Sequence, residues 1–347
     1  MKKERNSYLD ILKGISILLV ITGHSIQYGS GMEYLSWGSF LYNPVFIFIY
    51  SFHMPLFMLI SGYLFSYSCR NKTCKELLLA KAKQILIPLF CWSFISLLVH
   101  IIKIINGVSA IKISIIWIIQ TILSGFWGGP WFLWAIWWCS FLIIIGKRFF
   151  KDKLYFYLLI FFIVLLTPDE NNSAVYKFMW PFYFIAYYFN TYDYKTKLKK
   201  IYSHKAFSLS CLIIFSILLR SYGFDSYIYT SGYTILNKNI LYQLHSNSFR
   251  FFIGMVGSLS VIFVVQAFMD IIPNKINQIF SYIGKHTLGI YLISNYFFDE
   301  ILKWLPIAGL NYWYTFLEVI CVLGVSLLIT VILKKFKITN QLFLGAR

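Results

Sequence analysis

The fold class this sequence predicts is all-α: a polytopic membrane protein of about ten transmembrane helices with both termini cytoplasmic. Three observations predict it. Of 347 residues, 59% are hydrophobic and only 13% charged, where a soluble domain carries roughly 25% charged residues. The mean hydropathy is +0.68. Roughly three-quarters of the 31 Lys and Arg residues fall in segments that a ten-span reading places on one side, as the positive-inside rule requires.

The spans are predicted at 11–28, 44–67, 85–105, 131–146, 154–167, 178–191, 206–219, 250–269, 283–298 and 313–333. Several are shorter than the ~20 residues of a straight crossing, so their ends extend into flanking Tyr, Trp and Phe. The stretch 111–123, IKISIIWIIQTIL, is either an eleventh span or an interfacial helix on the outer side. Charge favours the outer side, because a full crossing there would throw KRFFKDK (147–153) outside. No cleavable signal is evident, since the first apolar run holds His24 and lacks a small-residue cleavage site. Neither an internal repeat nor a low-complexity linker divides the chain, so 1–347 is expected to be one integral-membrane domain. The net charge of +18 fits basic cytoplasmic loops and implies no nucleic-acid partner. None of the six cysteines falls in a segment placed outside, and no disulfide framework is implied.

The first span, RNSYLDILKGISILLVITGH (5–24), carries three groups that a plain anchor avoids: Asp10, Lys13 and His24. At 100° per residue, Lys13 and His24 are three turns plus about 20° apart, so they share a face, and Asp10 lies within about 40° of His24. At 1.5 Å per residue, His24 stands roughly 16 Å above Lys13. A polar stripe thus joins a cation at the cytoplasmic end to an imidazole deep in the span. Asp10 is placed at i, i+3 to orient Lys13.

The second span contains FHMPLFMLISGYLF (52–65). His53 is expected near the depth of His24, either as its partner or merely satisfying the carbonyl that Pro55 frees. Ser61-Gly62 permits close approach of another helix. The basic stretch 69–88 is either a plain positive-inside loop or a rim that attracts phosphate. GFWGGPWFLWAIWW (125–138) is an aromatic belt or an edge for a carbohydrate acceptor, and Trp131 with Ser61 and Tyr63 are the candidate acceptor contacts. The Tyr-, Ser- and Asn-rich segment 220–249 is expected to be an ordered outer loop facing substrate. Lys285 snorkels to lipid phosphate or lines the same mouth as Lys13. Glu318, inside the last span, is a site candidate because an acid there is costly unless paired or wet, and its depth matches His24 and His53.

A buried imidazole facing a cavity open to both sides can serve as general base for an attacking hydroxyl, or as the nucleophile that carries the acyl group. A thioester donor entering from the cytoplasm would put its phosphates at the basic mouth and its acyl end up the channel. HExxH, HxxxH, GxSxG, P-loop and dinucleotide motifs are absent from the sequence, and no metal is expected. Two other classes compete: a glycan flippase or transporter, for which intramembrane ionisable groups would mark the path, and a glycan polymerase.

R-N-x-x-L-D-x-L-K-G followed by G-H (Arg5, Asp10, Lys13, Gly14, His24) resembles the first helix of the acyltransferase-3 family of integral-membrane O-acyltransferases. F-H-M-P-L-F and S-G-Y-L at 52–64, G-P-W-F-L at 129–133 and G-K-H-T-L-G-I-Y-L at 284–292 are similar to its fucose 4-O-acetylase-like branch. The resemblance runs from residue 5 to about 300. It implies about ten spans in the cell membrane, acetyl-CoA as donor and a cell-envelope or lipid-linked glycan as acceptor. It implies His24 as the essential catalytic residue and Lys13 in the matching basic position at the cofactor; Asp10, His53 and Glu318, read from their places in the spans, are the candidate companions of His24. Lys13, Arg5, Lys81, Lys83 and Lys285 are the expected cofactor-binding cations. The sequence departs from the family where Lys81 and Lys83 replace an arginine pair ahead of Pro88, losing bidentate phosphate contact, and where Ser294 replaces a histidine.

Overall fold

In the computed structural model of the protein, residues 6–29, 39–107, 113–170, 172–194, 205–236, 239–269, 271–298 and 311–346 are described, and all regular structure among them is helical. Two long helices form the centre, α1 (Ser7–Gly29) and α2 (Pro44–Arg70). α2 begins where the Asn43 side chain accepts from the backbone N–H groups of Val45 and Phe46 at 2.9 and 3.1 Å. Pro44 occupies its first turn, where the missing donor costs nothing. The helix continues through Pro55, and every residue from Ser51 to Ile60 is buried, as expected of a helix that is apolar all round and lies inside a bundle.

The chain then forms α3 (Cys74–Lys81), a π turn over Ala82–Leu86, and α4 (Ile87–Ile105). Thr73 and Glu76 close a capping box at the start of α3, and the bonds from Thr73 hold the Glu76 carboxyl below its ordinary range. After α5 (Ile115–Trp127) and α6 (Trp131–Phe150) come α7 (Leu154–Leu166), α8 (Ser173–Thr191) and α9 (Lys205–Arg220). The chain ends with α10 (Ile240–Phe268), α11 (Asn274–Lys285), α12 (Thr287–Tyr296), α13 (Tyr312–Lys335) and α14 (Lys337–Leu344). α1 packs on α2, α11 and α13; α2 packs on α8 and α10; α4 carries α5 and α14.

Two close crossings set this arrangement. A Cβ on Gly14 would overlap the carbonyl oxygen of Phe280, and one on Gly284 would overlap that of Asp10, so α1 and α11 touch backbone to backbone. The approach expected at Ser61-Gly62 is made by α8, whose Tyr183 carbonyl occupies the space a Cβ on Gly62 would need.

Among the described residues, six helices are long and apolar enough to cross a membrane: Ser7–Tyr28, Pro44–Arg70, Cys74–Ile105, Trp131–Phe150, Ile240–Phe268 and Tyr312–Lys335. Ile115–Trp127, Leu154–Leu166 and Ala206–Arg220 are apolar but shorter. Each of the ten stretches expected to span is helical, but 283–298 is divided at His286 (φ −113°, ψ 7°) between the last turn of α11 and α12. The basic stretches 74–81 and 274–285 and the C-terminal 337–344 form short helices, where charge alone suggests loops.

Of the stretch 111–123, residues 111–112 lie outside the described residues and the helix begins at Ile115. Gly125 meets Ser93 and Ser96, and Gly129 meets Leu89, so α5 runs antiparallel to α4. Gly128-Gly129-Pro130 then breaks the helix, and α6 runs on to the end where the Lys147 ammonium donates to the Cys69 carbonyl at 3.2 Å. Stacked Trp127 and Trp134 rings, 4.8 Å apart, and a 3.0 Å bond from the Trp134 indole to Phe126 O brace the break. α5 and α6 are successive pieces of one broken path.

The bundle therefore has a basic end and a loop end. At the basic end, Arg70 donates to Asn190 O at 2.7 Å and Lys334 to Lys285 O at 3.0 Å. At the loop end, the described part of 220–249 is ordered, as expected, by one buried cation: Arg250 donates to the carbonyls of Asp225, Ser226, Tyr227 and Gly232. Nearby, Lys177 pairs with Asp169 at 2.8 Å, and the second Asp169 oxygen accepts from the Tyr233 N–H at 2.6 Å.

Candidate active site

α1 is one unbroken helix, so the stripe expected on it is realised. The Lys13 ammonium and the Asp10 carboxylate form an ion pair at 2.6 Å, with Lys13 20% and Asp10 3% exposed. Above this pair lies a cavity of about 620 Å³ at the basic end of the bundle. Lys13, Lys81, Lys285 and Lys334 supply its cations, and Ser61 with Gln84, His286 and Asn340 add further polar groups. Met54, Phe57, Phe132 and Tyr291 form apolar and aromatic wall. Val20 also lines it, on the same face of α1 as Lys13 and seven residues on. His24 is the next turn up, roughly 6 Å beyond Val20 along the axis.

The two imidazoles are neighbours at this level. His53 lies close enough to His24 for their charges to interact. The His53 Nδ1 lies 2.8 Å from the carbonyl of Ile49, which can only accept. Nδ1 therefore carries the proton, and Nε2 holds the lone pair of the neutral ring. The carbonyl that Pro55 frees belongs to Ser51, so His53 is not spent on it. The Gln27 side chain, one turn after His24, lies within hydrogen-bonding reach of its ring, and the Gln27 oxygen accepts from the Tyr50 hydroxyl at 3.3 Å. The Tyr50 ring is 4.8 Å from His53, closing a four-residue group. Met54, next to His53 on α2, and Val20, one turn before His24 on α1, both line the cavity, so the group adjoins it.

The structure thus gathers Lys13, Lys81, Lys285 and Ser61 around the cavity, Asp10 on Lys13, and His24 with His53. It leaves four expected residues elsewhere. Lys83 is exposed and absent from the lining, because the π turn directs its neighbour Gln84 inward instead. Tyr63 bonds the Tyr67 hydroxyl at 3.1 Å, and Trp131 packs beside Phe132; neither lines the cavity. Glu318 is buried on α13 with Oε2 unbonded and is not among the residues lining the cavity. Depth alone leaves the direction around the helix open. Arg5 lies outside the described residues. Among the described residues, no three His, Cys, Asp or Glu side chains cluster as metal ligands would.

Gln27, Tyr50, Gln84, Tyr291, Lys334 and Asn340 belong to the site and were not singled out by sequence reasoning. For Gln27 and Tyr50 a signal exists: each stands three residues after or before a histidine and so within one turn of it. For Asn340 there is none.

An all-helical, membrane-spanning chain with a basic cavity beneath a pair of imidazoles defines the class to which the comparisons point. A family described as an acyltransferase domain matches residues 6–335, and the chain belongs to this acyltransferase-3 family. The protein is a membrane acyltransferase. It is similar to nodulation protein NolL of Mesorhizobium japonicum, with 25% identity over 357 residues, covering 99% of this chain and 91% of that one. It is also similar to NolL of Sinorhizobium fredii, with 41% identity over 88 residues, covering 25% of this chain and 23% of that one. No solved structure matches.

Proposed function

We propose that the protein is an O-acetyltransferase of the cell membrane that moves an acetyl group from cytoplasmic acetyl-CoA to a hydroxyl of a cell-envelope or lipid-linked glycan. The observation that carries this reading is the cavity with four lysines that runs along α1 from Lys13 to Val20, one turn below His24. Its basic end faces the cytoplasm under the positive-inside rule. Lysines hold phosphate as point charges, and the extended pantetheine arm matches the roughly 16 Å between Lys13 and His24.

In this reaction His24 acts as general base. It takes the proton of the acceptor hydroxyl as that oxygen attacks the thioester carbonyl. The carbon–sulfur bond breaks, the acetyl group becomes the ester, and the thiolate leaves with CoA and takes the proton. Gln27 and Tyr50 orient the His24 ring. His53 presents a second basic nitrogen beside it, and Asp10 holds Lys13 toward the phosphates. The acceptor reaches the imidazoles from the loop end.

The test supplies radiolabelled acetyl-CoA to membranes containing the protein and its native glycan and follows base-labile label in the glycan. His24→Ala is expected to lower transfer by about 10²- to 10⁴-fold, the usual contribution of a general base, while the protein still inserts. Full transfer by that variant would remove His24 from the reaction. No label with intact wild-type protein would remove acetyl-CoA as donor.

A further inference from the structure

The cavity carries groups that phosphate recognition does not require. Four lysines suffice for the phosphates of a thioester donor, yet two neutral amides, Gln84 and Asn340, face the same space. Each is placed there by a distinct local feature. Gln84 lies in the π turn Ala82–Leu86, which adds a residue to the helical path and sends Lys83 outward while Gln84 lines the cavity and Ile85 is buried. Such turns are rare and concentrate at functional sites.

Asn340 sits on α14, which folds back from a break at Phe336 and lies along α4. Packing on α4 and on the π turn fixes that return. The Trp92 indole donates to Phe343 O at 3.1 Å, and the Tyr296 hydroxyl donates to Trp92 O. Leu344 is buried, and Gly345 follows it at φ +60°, a left-handed conformation that glycine adopts without penalty. A Cβ on Gly345 would overlap the carbonyl oxygen of Gln84 itself. The end of the chain is therefore pressed against the π turn, and the two amides are brought to one cavity by a single tied junction.

A carboxamide pairs a donor and an acceptor in one plane. That pattern complements the edge of adenine, where a ring nitrogen accepts beside an exocyclic amine that donates. Toward phosphate, half of each amide is useless.

We infer that Gln84 and Asn340 are a base-reading subsite for the adenine of the acyl donor, with the C-terminal helix α14 as one wall of the nucleotide site. This rests on the donor proposed above being a CoA thioester. The lysines take the phosphates, the amides take the base, and the pantetheine arm runs from there along α1.

The experiment compares two donors with the full-length protein in detergent: acetyl-CoA, and S-acetyl-pantetheine, which lacks the nucleotide. Gln84→Ala and Asn340→Ala are each expected to raise KM for acetyl-CoA about 5- to 50-fold. Their turnover of S-acetyl-pantetheine should match wild type, which also establishes that the variants fold. Acetyl-dephospho-CoA, which keeps adenine but lacks the 3′-phosphate, should lose the same factor. Equal effects on acetyl-CoA and S-acetyl-pantetheine, or no change in KM for acetyl-CoA, would overturn the subsite and leave the donor proposal standing. Failure of the wild-type protein to use acetyl-CoA would overturn both.

Discussion

The Tyr50 hydroxyl donates to the Gln27 side-chain oxygen at 3.3 Å, and each residue stands three positions from a histidine, Tyr50 before His53 and Gln27 after His24. One hydrogen bond thus ties the second helix to the first at the level of both imidazoles. If this bond orients His24, Tyr50→Phe keeps the ring packing against His53 and loses only the hydroxyl. A net hydrogen bond contributes about 0.5–1.5 kcal/mol, which predicts a kcat lower by about 2- to 12-fold. KM for the donor should not move, because Tyr50 is not part of the cavity lining. Steady-state kinetics over a range of donor concentrations separates the two parameters, and an unchanged kcat would leave Tyr50 a packing residue.

The Lys13–Asp10 pair makes a different prediction, since it combines recognition with stability. Lys13→Ala should raise the apparent KM for acyl-CoA more than it lowers kcat. It also removes a charge partner from the Asp10 carboxylate, which is 3% exposed, so the variant should lose heat stability. Adding Asp10→Asn removes the buried negative charge as well. The double variant is expected to regain thermal stability in detergent while keeping the raised KM. If Lys13→Ala leaves KM unchanged, Lys13 is only a structural partner of Asp10.

How much of this was legible beforehand depends on how local each feature is. The stripe Asp10–Lys13–His24 is a matter of helical period within one segment, and α1 realises it. The nearness of His24 and His53 follows from depth on two consecutive helices. Glu318 shows where depth stops helping. It sits in the last helix as expected, but the rotation of α13 against α1 is decided by packing among several helices. Lys83 fails for a related reason: a π turn shifts the face by one residue, and no local pattern in AKAKQILIP announces it. Asn340 is the extreme case, brought to the cavity by a chain reversal whose ties, Trp92 to Phe343 and Gly345 to Gln84, span some 250 residues of sequence.

Arg250 illustrates the same limit at the loop end. By charge it is an outer-side cation near the start of a span. In the fold it is 1% exposed and donates to four backbone carbonyls, the Asn247 side chain at 2.9 Å and the Ser231 hydroxyl. Lysine keeps the charge but has three donors on one atom in place of a planar fork of five. Arg250→Lys should therefore leave several buried carbonyls unbonded, at about 1–3 kcal/mol each. The expected result is a drop of several degrees in the unfolding temperature, read by a thiol-reactive dye in detergent, with cofactor KM unchanged. Wild-type stability in this variant would mean that the segment 223–234 is held by its own turns.

The orientation of the bundle gives the last prediction, and burial decides which residue reports on it. Cys69 and Cys74 both lie at the basic end, but Cys69 is 6% exposed at the end of α2, whereas Cys74 opens α3 and is only partly buried. With the basic end in the cytoplasm, a membrane-impermeant maleimide should leave Cys74 unlabelled in intact cells and label it in inside-out vesicles. Cys69 should react slowly from either side. A second reporter is needed at the loop end, and Ser226→Cys is unsuitable because the Ser226 carbonyl and hydroxyl are both engaged. Leu241→Cys is better, being 76% exposed in the first turn of α10. It should label in intact cells. Reversal of the two results would place the lysine-lined cavity outside the cell, where acyl-CoA is absent, and the transfer direction proposed for His24 would fail with it.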